Sequence, residues 1–288
     1  MIRFSLFITF IICSCSDNKE VELGDEIALD CIQHTPIETK DEELYGPEIV
    51  ERTSQFLPFT KKLKVCGITL VARNDVSDQF MENIAKTIKE IFITSDFTDT
   101  IRQQQLLISL LQYKTLIPLF YSENWSLNTE EEHQLDLLVE QYSMCDIIME
   151  GVDNPTMEVV EHILHHVSDI GLHYTYPEQW GLSKHSALYA ETQKAISKEY
   201  YNVAQYGDIE NEDVRNRVIL QEYAYWIIYT SWDLRFTYGP EKSEWSIFSS
   251  AELSSKLEGS YSLFQQTIPK VMTRPRDVTL NSFLENNN

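Results

Sequence analysis

Apolar residues recur along this chain in two rhythms, and the change between them falls near residue 150. From Lys64 to Ala72 a β-branched apolar run bounded by Asn74 and Asp75 predicts a strand. Ser77 then caps a predicted helix through about Ile91, with Phe80, Ile84, Ile88 and Ile91 on one side. A second helix over roughly Asp99–Gln112 carries Leu106, Leu107, Leu110 and Leu111. Thr115–Tyr121 reads as a strand, set near an edge or a bulge by Pro118. Glu130–Tyr142 reads as an acidic amphipathic helix and Cys145–Met149 as a third short apolar strand.

Beyond Gly151 the period is helical. Helices are expected over Asn154–Gly171, from Ser183 to about Tyr201, from Asn211 or Asp213 to about Leu234, and again from near Ser250. Strands alternating with helices, then helices alone, predict an α+β fold: a small N-terminal α/β sheet region over 63–150 and a mainly helical half over 151–278, within one globular domain. Residues 15–62 are polar, acidic and poorly periodic and read as a tether; 279–288 read as a disordered tail. No internal repeat is present.

One predicted helix concentrates the chemistry. Asn154 suits its N-cap, Pro155 its first position and Gly171 the residue past its end. At about 100° per residue, Glu158, Glu161, His162, His165, His166 and Asp169 fall within an arc of roughly 140°. Val160, Ile163, Leu164, Val167 and Ile170 fill the other side. The polar face is either a divalent-metal site or a solvated surface.

Glu161 with His165, and His162 with His166, have the i,i+4 spacing that lets two side chains converge on one ion, as in zinc peptidases. The HExxH motif fails, because Ile163 follows His162, and HxxEH fails, because His165 precedes His166. Glu161 and His165 are therefore the expected ligands. Glu158, within about 60° of both around the axis, is the candidate general base. His162, His166 and His173 are reserve ligands or their supporting partners. The long helix supplies a third ligand: Val218–Trp232 is apolar on most of its circumference, yet carries Glu222. A buried carboxylate needs a metal, a histidine or a donor network, or it is protonated and bonded to tyrosine hydroxyls. Tyr174, Tyr176 and Trp180 come directly after the first helix and form either a substrate wall or a packed connection.

Charge supports a cation site and excludes one class of partner. Formal net charge is -22, so nucleic acid is not expected as a partner. Between Lys114 and Lys184 stand thirteen Asp or Glu, five of the seven histidines and no Lys or Arg. A general shortage of Lys would leave the same mark. No GxSxG elbow, CxxC pair or phosphate-cradling glycine loop occurs. Past residue 15 the cysteines are Cys31, Cys66 and Cys145, which permit at most one internal disulfide; Cys66 and Cys145 read as packed thiols.

The N-terminus adds a destination. Arg3 and the apolar stretch Phe4–Ile12 form a leader too short to span a bilayer. It ends in Ile12-Cys-Ser-Cys15, which resembles the lipobox of bacterial lipoproteins, with Cys13 an unusual member of the box. That resemblance implies a signal peptide over 1–14, an acylated Cys15 anchored in the lipid bilayer, and, with Ser16 next in the chain, the outer membrane or cell envelope. An ordinary cleaved signal peptide is the alternative, and either reading predicts export.

An α/β half, a ligand-bearing helix and a later helix with a carboxylate ligand together resemble the layout of Glu-ligand zincins. Glu161-His-Ile-Leu-His165 with Gly171, Tyr174-Thr-Tyr-Pro177 and Gln221-Glu-Tyr-Ala-Tyr-Trp226 also resemble an uncharacterised group of bacterial secreted proteins and lipoproteins over roughly 64–275. That group brings no established activity. The expectation is thus a lipid-anchored, zincin-like protein with one Zn²⁺ on Glu161, His165 and Glu222. As an enzyme it would attack a peptide bond, with Glu158 activating water. The alternatives are a non-catalytic relative, held by an ion or a polar network, and a surface binding module using the Tyr/Trp loop.

Overall fold

A two-residue turn divides the apolar run Lys64–Ala72. Cys66 and Gly67 take φ of 48° and 78°, the left-handed pair that a tight hairpin requires. A Cβ on Gly67 would also lie 2.5 Å from the Leu107 carbonyl oxygen. The computed structural model, which describes residues 27–33, 35–39, 44, 48–240 and 243–285, therefore has two strands where one is expected. The leader and Cys15 lie outside the described residues.

Five strands form one mixed sheet in the order β1 (Glu51–Phe56), β2 (Phe59–Val65), β3 (Ile68–Ala72), β4 (Leu116–Tyr121) and β5 (Ile148–Glu150). The first three pair antiparallel, and β3–β4 and β4–β5 pair parallel. Side chains alternate across the sheet. Leu70, Ala72, Ile117 and Leu119 enter the main core, whereas Phe59, Val71, Leu116 and Phe120 face a smaller cluster with Leu135 and Leu138. Helices α1 (Asp78–Ile91) and α2 (Thr100–Gln112) belong to the first side, and α3 (Thr129–Val139) covers the second.

The helical half comprises α4 (Pro155–His166), a π-helical turn (Val167–Leu172), α5 (His173–Thr175), α6 (Pro177–Trp180), α7 (Ala187–Ser197), α8 (Glu212–Ser231), α9 (Leu234–Tyr238), α10 (Ser250–Lys256), α11 (Glu258–Val271) and α12 (Asp277–Glu285). Its core is continuous with that of the sheet: Leu63, Ile117, Ile163, Trp226 and Ile268 belong to one buried cluster. The fold is α+β, as the periodicity predicts. Among the described residues no helix is long and apolar enough to cross a membrane.

Five further local expectations are corrected. The span read as a tether supplies β1, most of β2 and the buried side chains Ile32 and Leu44. The span read as a disordered tail supplies most of α12, which buries Leu280 and Phe283, the latter edge-on to Phe80 at 5.9 Å. Cys145 is not a packed thiol but is joined to Cys31, while Cys66 is a free, buried thiol. Asn154 sits at φ 53° and makes no side-chain cap, and the helix does not stop at Gly171. Gly171 lies inside the π turn, where a Cβ would stand 2.9 Å from Leu106 Cδ2 of α2.

Candidate metal centre

Helices α4 and α8 pack against each other and bring their polar positions together. The start of α8 is fixed by Asn211, whose Oδ1 accepts from the Asp213 and Val214 amides. Further along, an almost wholly buried stretch carries Glu222. Its Oε2 lies 3.5 Å from His165 Nε2. Two ligands at roughly 2.0–2.2 Å from a tetrahedral ion stand about 3.3–3.6 Å apart, so this pair is already at ligand spacing. Glu161, one turn before His165, completes the set: one ligand atom each of Glu161, His165 and Glu222 lies within 4.8 Å of the others.

The orientation of His165 comes from a residue that periodicity does not single out. Asp146, in the irregular segment before β5, accepts at Oδ2 from His165 Nδ1 at 2.7 Å. Once the ring is neutral, that bond keeps its remaining proton on Nδ1 and leaves the lone pair on Nε2. His165 is wholly buried, and its Nε2 has no hydrogen-bond partner. Asp146 is itself held: its Oδ1 accepts from the Ile147 amide, and Gln221 Nε2 donates to Oδ2 at 3.4 Å.

Of the reserve histidines, His162 forms a second candidate ligand group with Asp146 and His165, whereas His166 and His173 are engaged elsewhere. His162 lies between two carboxylates, with Nδ1 2.8 Å from Asp146 Oδ2 and Nε2 3.2 Å from Glu158 Oε2. His166 donates from Nδ1 to the His162 carbonyl and accepts the Asp146 amide at Nε2. His173 accepts the Leu182 amide at Nδ1 and is in none of the candidate ligand groups among the described residues. Glu158 is not poised as a free base, because its Oε1 accepts the Met149 amide at 2.8 Å while Oε2 faces His162.

The aromatic segment is packed rather than open. Tyr174 stacks on Tyr113 at 3.7 Å, and Arg102 lies over the Tyr176 ring. Trp180 is buried and donates to Thr267 Oγ1 at 2.6 Å. As a substrate wall the trio is therefore corrected to a connection between α4 and α7. Nor is the polar face of α4 a solvated surface: His165, His166 and Asp169 are 0% exposed.

Charges in the cluster are mutually dependent. Burial would raise the Asp146 carboxyl, but His162 and His165 hold it well below the usual carboxylate range. Burial would lower both imidazoles. Against it, Asp146 and Glu158 hold His162 well above its ordinary value, and Glu222 and Asp146 raise His165 to about 10. Burial and the Glu222 charge push Glu161 up to about 8. The same two causes push Glu244, whose Oε1 accepts from Trp226 Nε1 at 2.6 Å, up to about 7. Burial alone takes His173 down to about 4, and with weaker opposing contacts does the same to His166. The cluster thus gathers protons to balance its carboxylates, and a dication would take their place.

Asp146 and Glu244 are the residues missed from sequence. A lone Asp in the apolar run Cys145–Met149 was a signal for the first; Glu244, in a loop, offers none. No cation stands within the stretch between Lys114 and Lys184, but Arg217 reaches in from α8, with NH1 3.6 Å from Asp169 Oδ2. No protein-family model, curated protein or solved structure matches the chain.

Proposed function

We propose that the protein binds one divalent cation, most simply Zn²⁺, between α4 and α8 on Glu161, His165 and Glu222. We read it as an exported, lipid-anchored, zincin-like hydrolase acting on peptides. The observation that carries the metal assignment is His165 Nε2: buried, without a hydrogen-bond partner, 3.5 Å from Glu222 Oε2, oriented through Nδ1 by Asp146 and grouped with the Glu161 and Glu222 carboxylates. Two carboxylates and one imidazole suit Zn²⁺ and leave one position of a tetrahedral ion to a substrate or water. When bound there, the ion supplies Lewis acidity toward a carbonyl oxygen and toward water. The Glu222 side chain is 16% exposed and that of Asp146 25%, so the cluster is not wholly sealed from solvent.

The chain's own groups set the surroundings of that ion. Asp146 keeps the His165 ring in register, Tyr225 packs edge-on against that ring at 5.7 Å, and Glu244 beside Glu222 is a carboxyl able to exchange a proton near neutrality. Glu158 favours a second reading. With both oxygens occupied, it leaves the centre without the expected base, as in a non-catalytic protein whose ion joins the two halves.

Metal analysis separates these readings from a binding module. After incubation with equimolar zinc and dialysis, the chain should retain close to one ion. Glu161→Gln, His165→Ala and Glu222→Gln should each lower occupancy. Near-zero zinc in the parent chain would reject both metal readings. Retained zinc with a broad peptide library left uncut selects the non-catalytic one.

A further inference from the structure

The residue that orients His165 lies where no helix or strand holds it. Residues 144–147 are irregular backbone between an isolated bridge at Ser143 and the start of β5. Beside the Asp146 amide's bond to His166 Nε2, their position is set by a segment more than a hundred residues earlier. Cys31 is bonded to Cys145, the residue immediately before Asp146. The Cys31 carbonyl accepts the Met144 amide at 3.0 Å, and Ser143 Oγ accepts the Gln33 amide at 2.8 Å. Three successive residues leading into Asp146 are therefore tied to 31–33.

A second route runs from the same segment to the same carboxylate. Asp30 Oδ1 lies 2.8 Å from Arg217 Nε, and Arg217 NH1 donates to Gln221 Oε1. With its oxygen taken, the Gln221 amide turns its nitrogen toward Asp146 Oδ2. The first route fixes the backbone that carries Asp146, and the second reaches the oxygen that accepts from His165 Nδ1. Asp30 and Arg217 pair across a partly buried boundary, so the contact is screened less than a surface ion pair.

From this convergence we infer that residues 30–33 are a positioning arm of the metal centre, and that the Cys31–Cys145 disulfide sets the affinity of the centre for its ion. The inference rests on the proposed metal site. With the disulfide intact, Asp146 holds the His165 tautomer that offers Nε2. With it reduced, the irregular segment loses its covalent tie and the imidazole loses its fixed orientation. Reduction by a dithiol is balanced within the pair: the reagent's two thiols become a disulfide, and Cys31 and Cys145 each gain one electron and one proton. The centre would then load fully only where disulfides form, which is the destination the leader implies.

The test compares Co²⁺ and Zn²⁺ affinity, by competition with a chromophoric chelator, for the oxidised chain and for the chain reduced by a dithiol and desalted without oxygen. The expected result is a Kd weaker by at least about tenfold on reduction, the scale of losing a carboxylate partner of a ligating histidine. The cobalt spectrum should change in the same sample while near-ultraviolet circular dichroism shows a folded chain. Affinities agreeing within about twofold overturn the inference, since a lost partner costs roughly 10–100-fold. So does a thiolate-to-cobalt absorption, which would show the freed cysteines taking the ion themselves. Should reduction unfold the chain, Asp30→Asn with the disulfide intact decides: weaker binding without loss of fold supports the arm, and unchanged binding overturns it. An oxidised chain that binds neither ion removes the metal site itself, a failure distinct from equal binding by both forms.

Discussion

At the scale of single residues, Asp146 does more for the candidate centre than its position suggests. It is the acceptor for His165 Nδ1 and stands 2.8 Å from His162 Nδ1. Asp146→Ala should therefore weaken zinc binding about 10–100-fold although it removes no ligand, which a chelator competition would read. Protonation gives the sign of the pH dependence. Glu161, raised to about 8, and His165, raised to about 10, must both lose protons to bind an ion, so binding releases protons and affinity climbs with pH. Calorimetry in buffers of different ionisation enthalpy should detect that release; binding with no proton exchange would contradict it.

At the scale of elements, the π turn and the last helix are the informative joints. Inserting a residue's worth of backbone at Val167–Leu172 seats Gly171 against α2, where Leu106 Cδ2 leaves no room for a methyl group. Gly171→Ala should cost about 1–3 kcal/mol by overpacking, seen as a lower urea midpoint. Helix α12 is fastened to α1 through Glu90, which is 3% exposed and accepts from Arg276 and Thr279. Burial alone would raise the Glu90 carboxyl, but these donors lower it below its ordinary value. A carboxylate lowered on folding stabilises above its unfolded pKa, and that contribution is lost as pH falls through the folded one. Glu90→Gln should cost about 1–3 kcal/mol at neutral pH, and the difference between the two proteins should shrink on acidification below the usual carboxylate range. A difference that stays constant into acid would refute the assignment.

At the scale of the whole molecule, one covalent bond and one charge imbalance dominate. The Cys31–Cys145 bond spans 114 residues of sequence and joins the N-terminal segment to the edge of the sheet. Its double replacement by serine should lower unfolding free energy by about 2–5 kcal/mol in the ion-free chain, measured by denaturant titration. That loss is separable from any change in metal affinity in the folded protein. The net charge of -22 is unevenly met: Arg217 enters the acidic centre by pairing with Asp30 and approaching Asp169, whose burial pushes its carboxyl up to about 7.

What the amino-acid sequence determined by itself is local. The period of apolar residues placed α1, α2, α3, α4 and α8, and the same period put Glu161 and His165 one turn apart on one face. A single carboxylate in an apolar helix marked Glu222 as needing a partner. Those readings need only the geometry of one element. Which element lies opposite is a property of chain closure, and only tertiary structure supplied it. The pairing of Cys31 with Cys145 over Cys66, the service of Asp146 to His165, the engagement of Glu158 by the Met149 amide and the burial of Trp180 each join residues that no local period relates. The span read as tether and the span read as tail escaped for the same physical reason. Isolated apolar residues such as Ile32 and Leu44 carry no rhythm, the single turn from Leu280 to Phe283 is too short to establish one, and all four are buried because the rest of the fold provides a surface for them.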